Sequence, residues 1–511
     1  MKNNWVRVVF RRRIFVILIL LIQIIFMMFL IAGTSMYFHY VNWLLNLISI
    51  AVCIHVLNKN EKPGYKFIWL FLILMFPIFG GMMYLFFYSQ SNSRKMKKLT
   101  ERTAAASDKF FFLPGNRLAE FVEAEPEFET QANYLQNYAG FPVYSNTRQE
   151  YFPIGEAFFE RLLTELEKAE HYIFLEFFIL REGVMLDPII AILEKKARQG
   201  LDVRVMYDDL GCFMSLPPDY KKQLEQKGIK CFIFNPFKPI LSSLQNNRDH
   251  RKIISIDGKT AFTGGLNLAD EYINAIDRFG HWKDAAIMLK GEGAWSLTLI
   301  FLQMWNIGHK EHDDYLSFYP WKNSPCPAVS DGFVQPYADS PIDDENVGEH
   351  VYIQIINKAK KYVYINTPYL VVDDNLLSAL TLAAKSGVDV RIITPHRWDK
   401  WFVAIASRSY YRRLIAAGVK VYEYSSGFNH SKTFVSDDRV ATVGTTNLDF
   451  RSLYLHFECG VLIYRGSAVM AVKKDFLETI PVSHEITLKE CARNAVQRFF
   501  SDVLRIFAPL M

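Results

Sequence analysis

A duplicated α/β fold preceded by membrane-spanning helices is what this sequence predicts, and three observations carry the prediction. Long apolar runs without charge all lie before Tyr88. The rest of the chain matches itself at a shift of 180 to 190 residues. One short pattern of histidine, lysine, aspartate, glycine and asparagine stands at the same place in both copies.

The size and composition fit that plan. At 511 residues the chain is long enough for about three domains of roughly 100–200 residues each. Half of it is hydrophobic and 15% aromatic, ample for a large core. A net charge of +5 suits an anionic substrate or membrane surface and does not point to nucleic acid. The six cysteines are scattered without a C-x-x-C pair, so neither a zinc site nor a disulfide framework is expected, and reduced thiols are.

Three apolar runs come first: Phe15 to Gly33, Trp43 to Leu57 and Phe67 to Tyr88. A bilayer core about 30 Å thick needs about 20 apolar residues in helical form. The first and third runs meet this, and the second does so only if it extends back towards Met36. Trp5, Trp43, Trp69 and Tyr88 sit near run ends, where interfacial rings prefer to lie. A cleaved signal peptide is the competing reading of the first run; its length and the lack of a small-residue cleavage site tell against it. Lys2, Arg7, Arg11, Arg12 and Arg13 argue for a cytoplasmic N-terminus, and Arg94, Lys95, Lys97 and Lys98 for a cytoplasmic exit. Three full spans cannot satisfy both clusters. The expectation is a multi-pass cell-membrane protein with two or three transmembrane helices and its catalytic domains on the cytoplasmic face.

The repeat sets the soluble architecture. Tyr172-Ile173-Phe174-Leu175 returns as Tyr362-Val363-Tyr364-Ile365, Gly200-Leu201-Asp202-Val203 as Gly387-Val388-Asp389-Val390, and Gly228-Ile229-Lys230 as Gly418-Val419-Lys420. Each match reads as a helix ending at a glycine cap, followed by a short strand. Strand, helix, strand, helix, strand in each half signals a sheet with helices on its faces. The division expected is a membrane-anchoring module over 1–95, a linker over 96–133, a first α/β domain over 134–325 and a second over 326–511, with the active site where the halves meet.

The chemistry is carried by the repeated motif. His250, Lys252 and Asp257 followed by Gly264 and Asn267 recur 180 residues on as His430, Lys432, Asp437, Gly444 and Asn447. His and Lys two apart on a strand share a face. Each copy thus offers an imidazole, a fixed positive charge and an amide reached after a glycine that lets backbones approach closely. Two copies across a pseudo-twofold axis surround one anion with a complete set. Such a site stabilises developing phosphoryl charge without a metal or other cofactor. A single copy would more often be surface decoration; two in register are not.

This double motif resembles that of the phospholipase D superfamily, and within it the chain is similar to the bacterial cardiolipin synthases. Matching stretches include Tyr151-Phe152-Pro153-Ile154-Gly155-Glu156, Phe174-Leu175-Glu176-Phe177-Phe178, Asn247-Arg248-Asp249-His250-Arg251-Lys252, Gln335-Pro336-Tyr337 and Ala508-Pro509-Leu510-Met511. The resemblance implies a pair of phospholipase D-like α/β sandwich domains that convert two phosphatidylglycerol molecules into cardiolipin and glycerol through a phosphohistidine. It makes His250 the nucleophile and His430 the acid/base, with reversal left open by the symmetry. Lys252, Lys432, Asn267 and Asn447 would hold the phosphate. It implies that an acid downstream of each motif, Asp284 and Glu458, orients the histidines. Asp257 and Asp437 belong to the catalytic signature but are expected to act structurally, through backbone hydrogen bonds. Gly265 and Thr445 stand where the family often has serine, so a phosphate contact is expected to be lost in the first half. The other histidines, His281, His309, His396 and His456, read as structural.

Expected partners are phosphatidylglycerol and other lipids of a bacterial membrane, with no nucleic acid and with homo-oligomers left open. Hydrolysis by water, transfer to serine, a nuclease of the same superfamily and an inactive scaffold are the competing readings. A nuclease would call for a Lys- and Arg-rich groove with stacking aromatics. A scaffold would have lost a motif residue, and none is lost.

Overall fold

The computed structural model describes residues 21, 24–25, 28, 36–59, 62–88, 91–237, 245–309, 313–343, 345–492 and 494–510. Trp5, the leading basic cluster and all but four residues of the run from Phe15 to Gly33 lie outside them. Two compact units emerge. One comprises the described residues of 1–95, 237–246 and 502–511; the other comprises 96–236 and 247–501.

In the first unit the second apolar run does extend back to Met36, as a helix over Met36–Asn58. Its segment Tyr40–Asn58 is long and apolar enough to cross a membrane by length and composition. The third run departs from expectation: it forms two helices, Pro63–Met75 and Pro77–Tyr88, rather than one span. Pro77 has no N–H to donate and its ring bars the preceding residue from helical geometry, so Phe76 turns to φ −134° and ψ 77°. At 1.5 Å per residue each piece reaches only about 20 Å, short of a bilayer core. They fold back on each other instead. A Cβ on Gly80 would overlap the backbone of Leu72 and Ile73, so glycine is needed there. Trp69 and Tyr84 pack edge to face at 5.4 Å, and Cys53, Val56, Ile73 and Tyr84 form the small core shared by the three helices. Lys66 donates to the carbonyl of Leu57 at 2.9 Å, covering one orphan acceptor at the end of the first helix.

The second unit holds the duplication. Its first sheet runs, in spatial order, Thr147–Phe152, Ala286–Gly291, Thr260–Gly264, Ile253–Ile256, Tyr172–Phe177, Asp202–Asp208 and Lys230–Phe234. The second sheet repeats that order with Phe333–Asp339, His456–Tyr464, Val440–Gly444, Thr433–Ser436, Tyr362–Asn366, Asp389–Pro395 and Lys420–Tyr424, and adds Ser483–Glu485 at the edge. In each sheet the last three of the shared strands are parallel, and parallel neighbours need a crossover, here a helix. The helix Leu186–Arg198 carries Asp187 in its first turn and Lys195, Lys196 and Arg198 in its last, matching the helix dipole. It ends at Gly200, φ +94°, and its counterpart Asp374–Lys385 ends at Gly387, φ +93°. Both are the left-handed caps that the glycines predict.

The two halves interlock. The helix Glu292–Ile307, apolar and buried almost all round, packs on the second repeat's opening strand Phe333–Asp339 as well as on its own sheet. In return the helix Ser467–Thr479 lies on the first repeat's opening strand Thr147–Phe152. From that helix the Asp475 carboxylate accepts from Lys283 Nζ at 2.6 Å and Tyr151 Oη at 2.7 Å.

Candidate active site

The motif histidines sit on loops that the opposite repeat pins down. Arg248–Asp249 pairs in parallel with His456–Phe457, and the His250 N–H donates to the carbonyl of Phe457 at 3.0 Å. Symmetrically, Gly427–Asn429 pairs in parallel with His281–Lys283, and the His430 N–H donates to the carbonyl of Lys283 at 2.7 Å. In both cases the register brings the residue after the pairing beside the next acid of the other repeat. Glu458 Oε1 and Oε2 therefore lie 2.9 and 3.0 Å from His250 Nδ1, and Asp284 Oδ2 lies 2.5 Å from His430 Nδ1. Each histidine is held by the acid of the opposite repeat, and its Nε2 is left for chemistry.

The glycines of the motif make this approach feasible. A Cβ on Gly264 would overlap the carbonyl of Ala285, and one on Gly444 would stand 2.6 Å from that of Cys459. At the next position, a Cβ on Gly265 would overlap the Asp284 carboxylate, so the missing side chain makes room for the acid. Its counterpart Thr445 also faces an acid rather than the phosphate site, its hydroxyl donating to Glu458 Oε2. The shorter aspartate needs the space, and the longer glutamate receives a hydroxyl support.

Both histidines are 7% exposed. Burial, then the positive charge of Lys252, holds His250 well below the usual histidine range. Burial and Lys432 lower His430 to about 4, against the opposing pull of Asp284. Burial pushes Glu458 up. The resting state this describes has neutral imidazoles with Nδ1–H directed at the carboxyls. Lys252 Nζ donates to the carbonyl of His250 at 2.6 Å, and Lys432 Nζ to that of His430. Lys432 Nζ also stands 2.8 Å from His430 Nδ1. That nitrogen cannot both donate to Asp284 and accept from the lysine, and the carboxylate has the stronger claim. Burial lowers Lys252 to about 8 and Lys432 to about 7, as expected of ammonium groups gathered around a place for an anion.

The remaining motif residues divide. Asp257 accepts from the N–H groups of Glu170, His171 and Tyr172, each at 2.8 Å. Asp437 does the same for Lys360, Lys361 and Tyr362 at 2.7–2.9 Å. Both carboxylates anchor helix-to-strand turns and neither bonds a motif histidine. Asn267 Oδ1 accepts from the Ile179 N–H at 3.0 Å and Nδ2 donates to Tyr272 Oη at 2.6 Å, leaving one amide hydrogen for a ligand. Asn447 keeps an unpartnered, buried Oδ1. Aromatic rings wall the pocket: Phe178 at 5.1 Å from the His250 ring, and Trp282, Phe428 and Tyr272 at 5.4, 5.6 and 5.7 Å from the His430 ring.

Among the other histidines, His281, His309 and His396 are structural as expected, bonded to Tyr424 Oη, the Trp305 carbonyl and Glu423. His456 is not. It lies in the site, 5.4 Å from the His250 ring, and its position two residues before Glu458 on a strand was the signal available in the sequence. One further asymmetry lies beneath the motifs. Asn366 and Asn429 are hydrogen-bonded amides in the second half, 3.0 Å apart. The equivalent positions in the first half are Glu176 and Asp249, buried with Arg251; burial and the neighbouring Asp249 charge push Glu176 well above the usual carboxylate range.

Two interlocked copies of one α/β unit, each supplying a His-x-Lys face and the acid for the other, define a phospholipase D-like protein. A family model described as "Cardiolipin synthase, PLD-like domain" matches residues 162–280 and 352–480, and one described as "Phospholipase_D-nuclease N-terminal" matches 45–87. The chain belongs to the cardiolipin synthase family of phospholipase D-like proteins. It is 33% identical to a cardiolipin synthase of Halalkalibacterium halodurans over 94% of this chain and 98% of that one. It is 44% identical to an uncharacterised protein of Streptococcus mutans serotype c over 90% of this chain and 99% of the relative. Among solved structures, the phosphatidylserine synthase of Haemophilus influenzae Rd KW20 aligns with a TM-score of 0.55 and 14% identity over 75% of this chain and 97% of its own, a likeness of fold.

Proposed function

We propose that the protein is a cardiolipin synthase that transfers a phosphatidyl group between two phosphatidylglycerol molecules. The observation that carries the reading is the pair of crossed acid–imidazole contacts beside two buried lysines. With Nδ1 engaged, His250 Nε2 attacks phosphorus and the bond to the head-group glycerol oxygen breaks. His430 Nε2–H gives its proton to that oxygen, and glycerol leaves. The arriving phosphodiester anion opposes the lysine charges and raises His430 enough for it to carry that proton. The second phosphatidylglycerol then passes a glycerol hydroxyl proton to His430, its oxygen attacks phosphorus, and the phosphorus–nitrogen bond breaks to give cardiolipin. Glu458 and Asp284 stabilise the imidazolium forms. Lys252, Lys432 and the side-chain amides of Asn267 and Asn447 hold the equatorial oxygens. The negative charge is met by these fixed donors, so the reaction needs no metal.

The N-terminal helices anchor the enzyme in the cell membrane, with the catalytic domains on the cytoplasmic face. The basic residues following Tyr88 support that side.

The test is a product assay on purified protein in vesicles of labelled phosphatidylglycerol, with a chelator present and with His250→Ala and His430→Ala in parallel. Cardiolipin plus free glycerol, abolished in both variants and indifferent to the chelator, is the expected result. Phosphatidic acid as the main product would make the protein a hydrolase.

A further inference from the structure

His456 is left over by the phosphoryl chemistry. It opens the strand His456–Tyr464 two positions before Glu458, so the two side chains leave the same face. The ring is 8% exposed and packs beside those of His250, at 5.4 Å, and Phe178, at 6.4 Å, which also touch each other. Neither ring nitrogen has a hydrogen-bond partner among the described residues. A buried imidazole with both nitrogens unpaired is an unfavourable arrangement that folds rarely keep without a use.

Its protonation state narrows that use. Burial first, then the charges of Arg451, Lys252, Arg248 and Lys400, keep His456 neutral. A neutral imidazole has one N–H and one lone pair. Nδ1 stands 3.7 Å from Glu458 Oε1, so the carboxyl favours the proton there and Nε2 keeps the lone pair. A lone pair cannot bind a phosphate oxygen, which is itself an acceptor; it calls for an O–H. A metal ion is the other occupant to weigh, since ligand atoms of His250, His456 and Glu458 lie within 4.8 Å of one another. Lys252 and Lys432 already place two positive charges around the site, and ligation would draw Glu458 away from His250. A hydroxyl fits better.

We propose that His456 reads the polyol head group, its Nε2 accepting a hydrogen bond from a glycerol hydroxyl that does not react. This deepens the phosphatidyl-transfer reading above and rests on it. Because the hydroxyl concerned is a bystander, the contact does not depend on which histidine bonds phosphorus. It selects head groups with a second hydroxyl, since a site built to pair a hydroxyl disfavours an analogue that lacks it.

The experiment sets labelled glycerol against 1-propanol as competing acceptors for the full-length enzyme in phosphatidylglycerol vesicles. The ratio of labelled phosphatidylglycerol to phosphatidylpropanol is the readout. His456→Leu should lower the preference for glycerol about tenfold, the worth of one hydrogen bond, while the propanol rate holds within about threefold. His456→Gln, whose amide oxygen reaches the place of Nε2, should keep most of the preference. A preference unchanged in His456→Leu, or both rates falling together in the two variants, would overturn the proposal. Failure of the unsubstituted enzyme to make either phosphatidyl alcohol would overturn the transfer reading itself, and this inference with it.

Discussion

Replacing Glu458 with glutamine in the second repeat should disable the histidine of the first. Glu458 is bonded to His250 Nδ1 at 2.9 and 3.0 Å, and Asp284 to His430 Nδ1 at 2.5 Å. A hydrogen bond to a charged group contributes about 1.5–3 kcal/mol. That bond reaches full strength only as the imidazole gains positive charge. Losing it should therefore slow the step its histidine performs by about ten- to 150-fold. The two steps separate with a phosphatidyl donor that carries p-nitrophenol in place of glycerol, because this group departs without a proton. Asp284→Asn should then release the first equivalent of p-nitrophenol at nearly the unsubstituted rate, since His430 is not needed for that step. Glu458→Gln should stay slow, since His250 must still attack. Rapid-quench measurement of the burst reads both. Equal burst defects in the two variants would refute the crossed division of labour. Rescue of Glu458→Gln instead of Asp284→Asn would reverse the roles of the two histidines.

Four further outcomes are expected. Gly265→Ser should displace Asp284 and cut activity about 100-fold, the scale of a lost charge-assisted contact, while Tm stays within a few degrees of the parent; retained activity would mean the glycine is not there to admit the acid. Asp257→Asn should lower stability by about 1–3 kcal/mol in denaturant titration, because three backbone N–H groups lose a carboxylate, with kcat of the folded enzyme little changed. Burial holds Lys252 and Lys432 at about 8 and about 7, below the lysine value in an unfolded chain. An anion should raise them again, so tungstate binding at pH 8.5 should take up protons, read by calorimetry in buffers of different ionisation heat, and Lys432→Gln should reduce the uptake. Glu176 is pushed above its unfolded value, so the folded state binds more protons than the unfolded one and stability falls as pH rises from about 4 towards the folded value; Glu176→Gln should remove that loss, its Tm advantage over the parent widening with pH.

Much of this protein was legible in local patterns. Helix caps such as Gly200 and Gly387 and the strands that follow them are short-range decisions, made by backbone sterics within a few residues, so the duplicated α/β order could be read directly. The motif histidines and lysines were legible for the same reason, since residues two apart on an extended chain share a face. The structural use of Asp257 and Asp437 was expected only from the family resemblance, and both carboxylates do bond turn N–H groups. Pro77 was equally visible, yet the hydropathy of Phe67 to Tyr88 obscured it, because apolar content measures affinity for lipid and a helix break is a matter of backbone geometry.

The sequence by itself therefore determined the repeated unit and the paired motif residues within it. Only the tertiary structure decided how those groups are shared. His250 meets Glu458 across 208 residues and His430 meets Asp284 across 146, through short parallel pairings between one repeat's loop and the other's strand. Nothing within a few residues of either histidine specifies that crossing, which the packing of the two halves sets. The same packing leaves Gly265 as space for a carboxylate and brings His456 beside the site. Local sterics act within one repeat, whereas a site between two repeats depends on how their buried faces fit together.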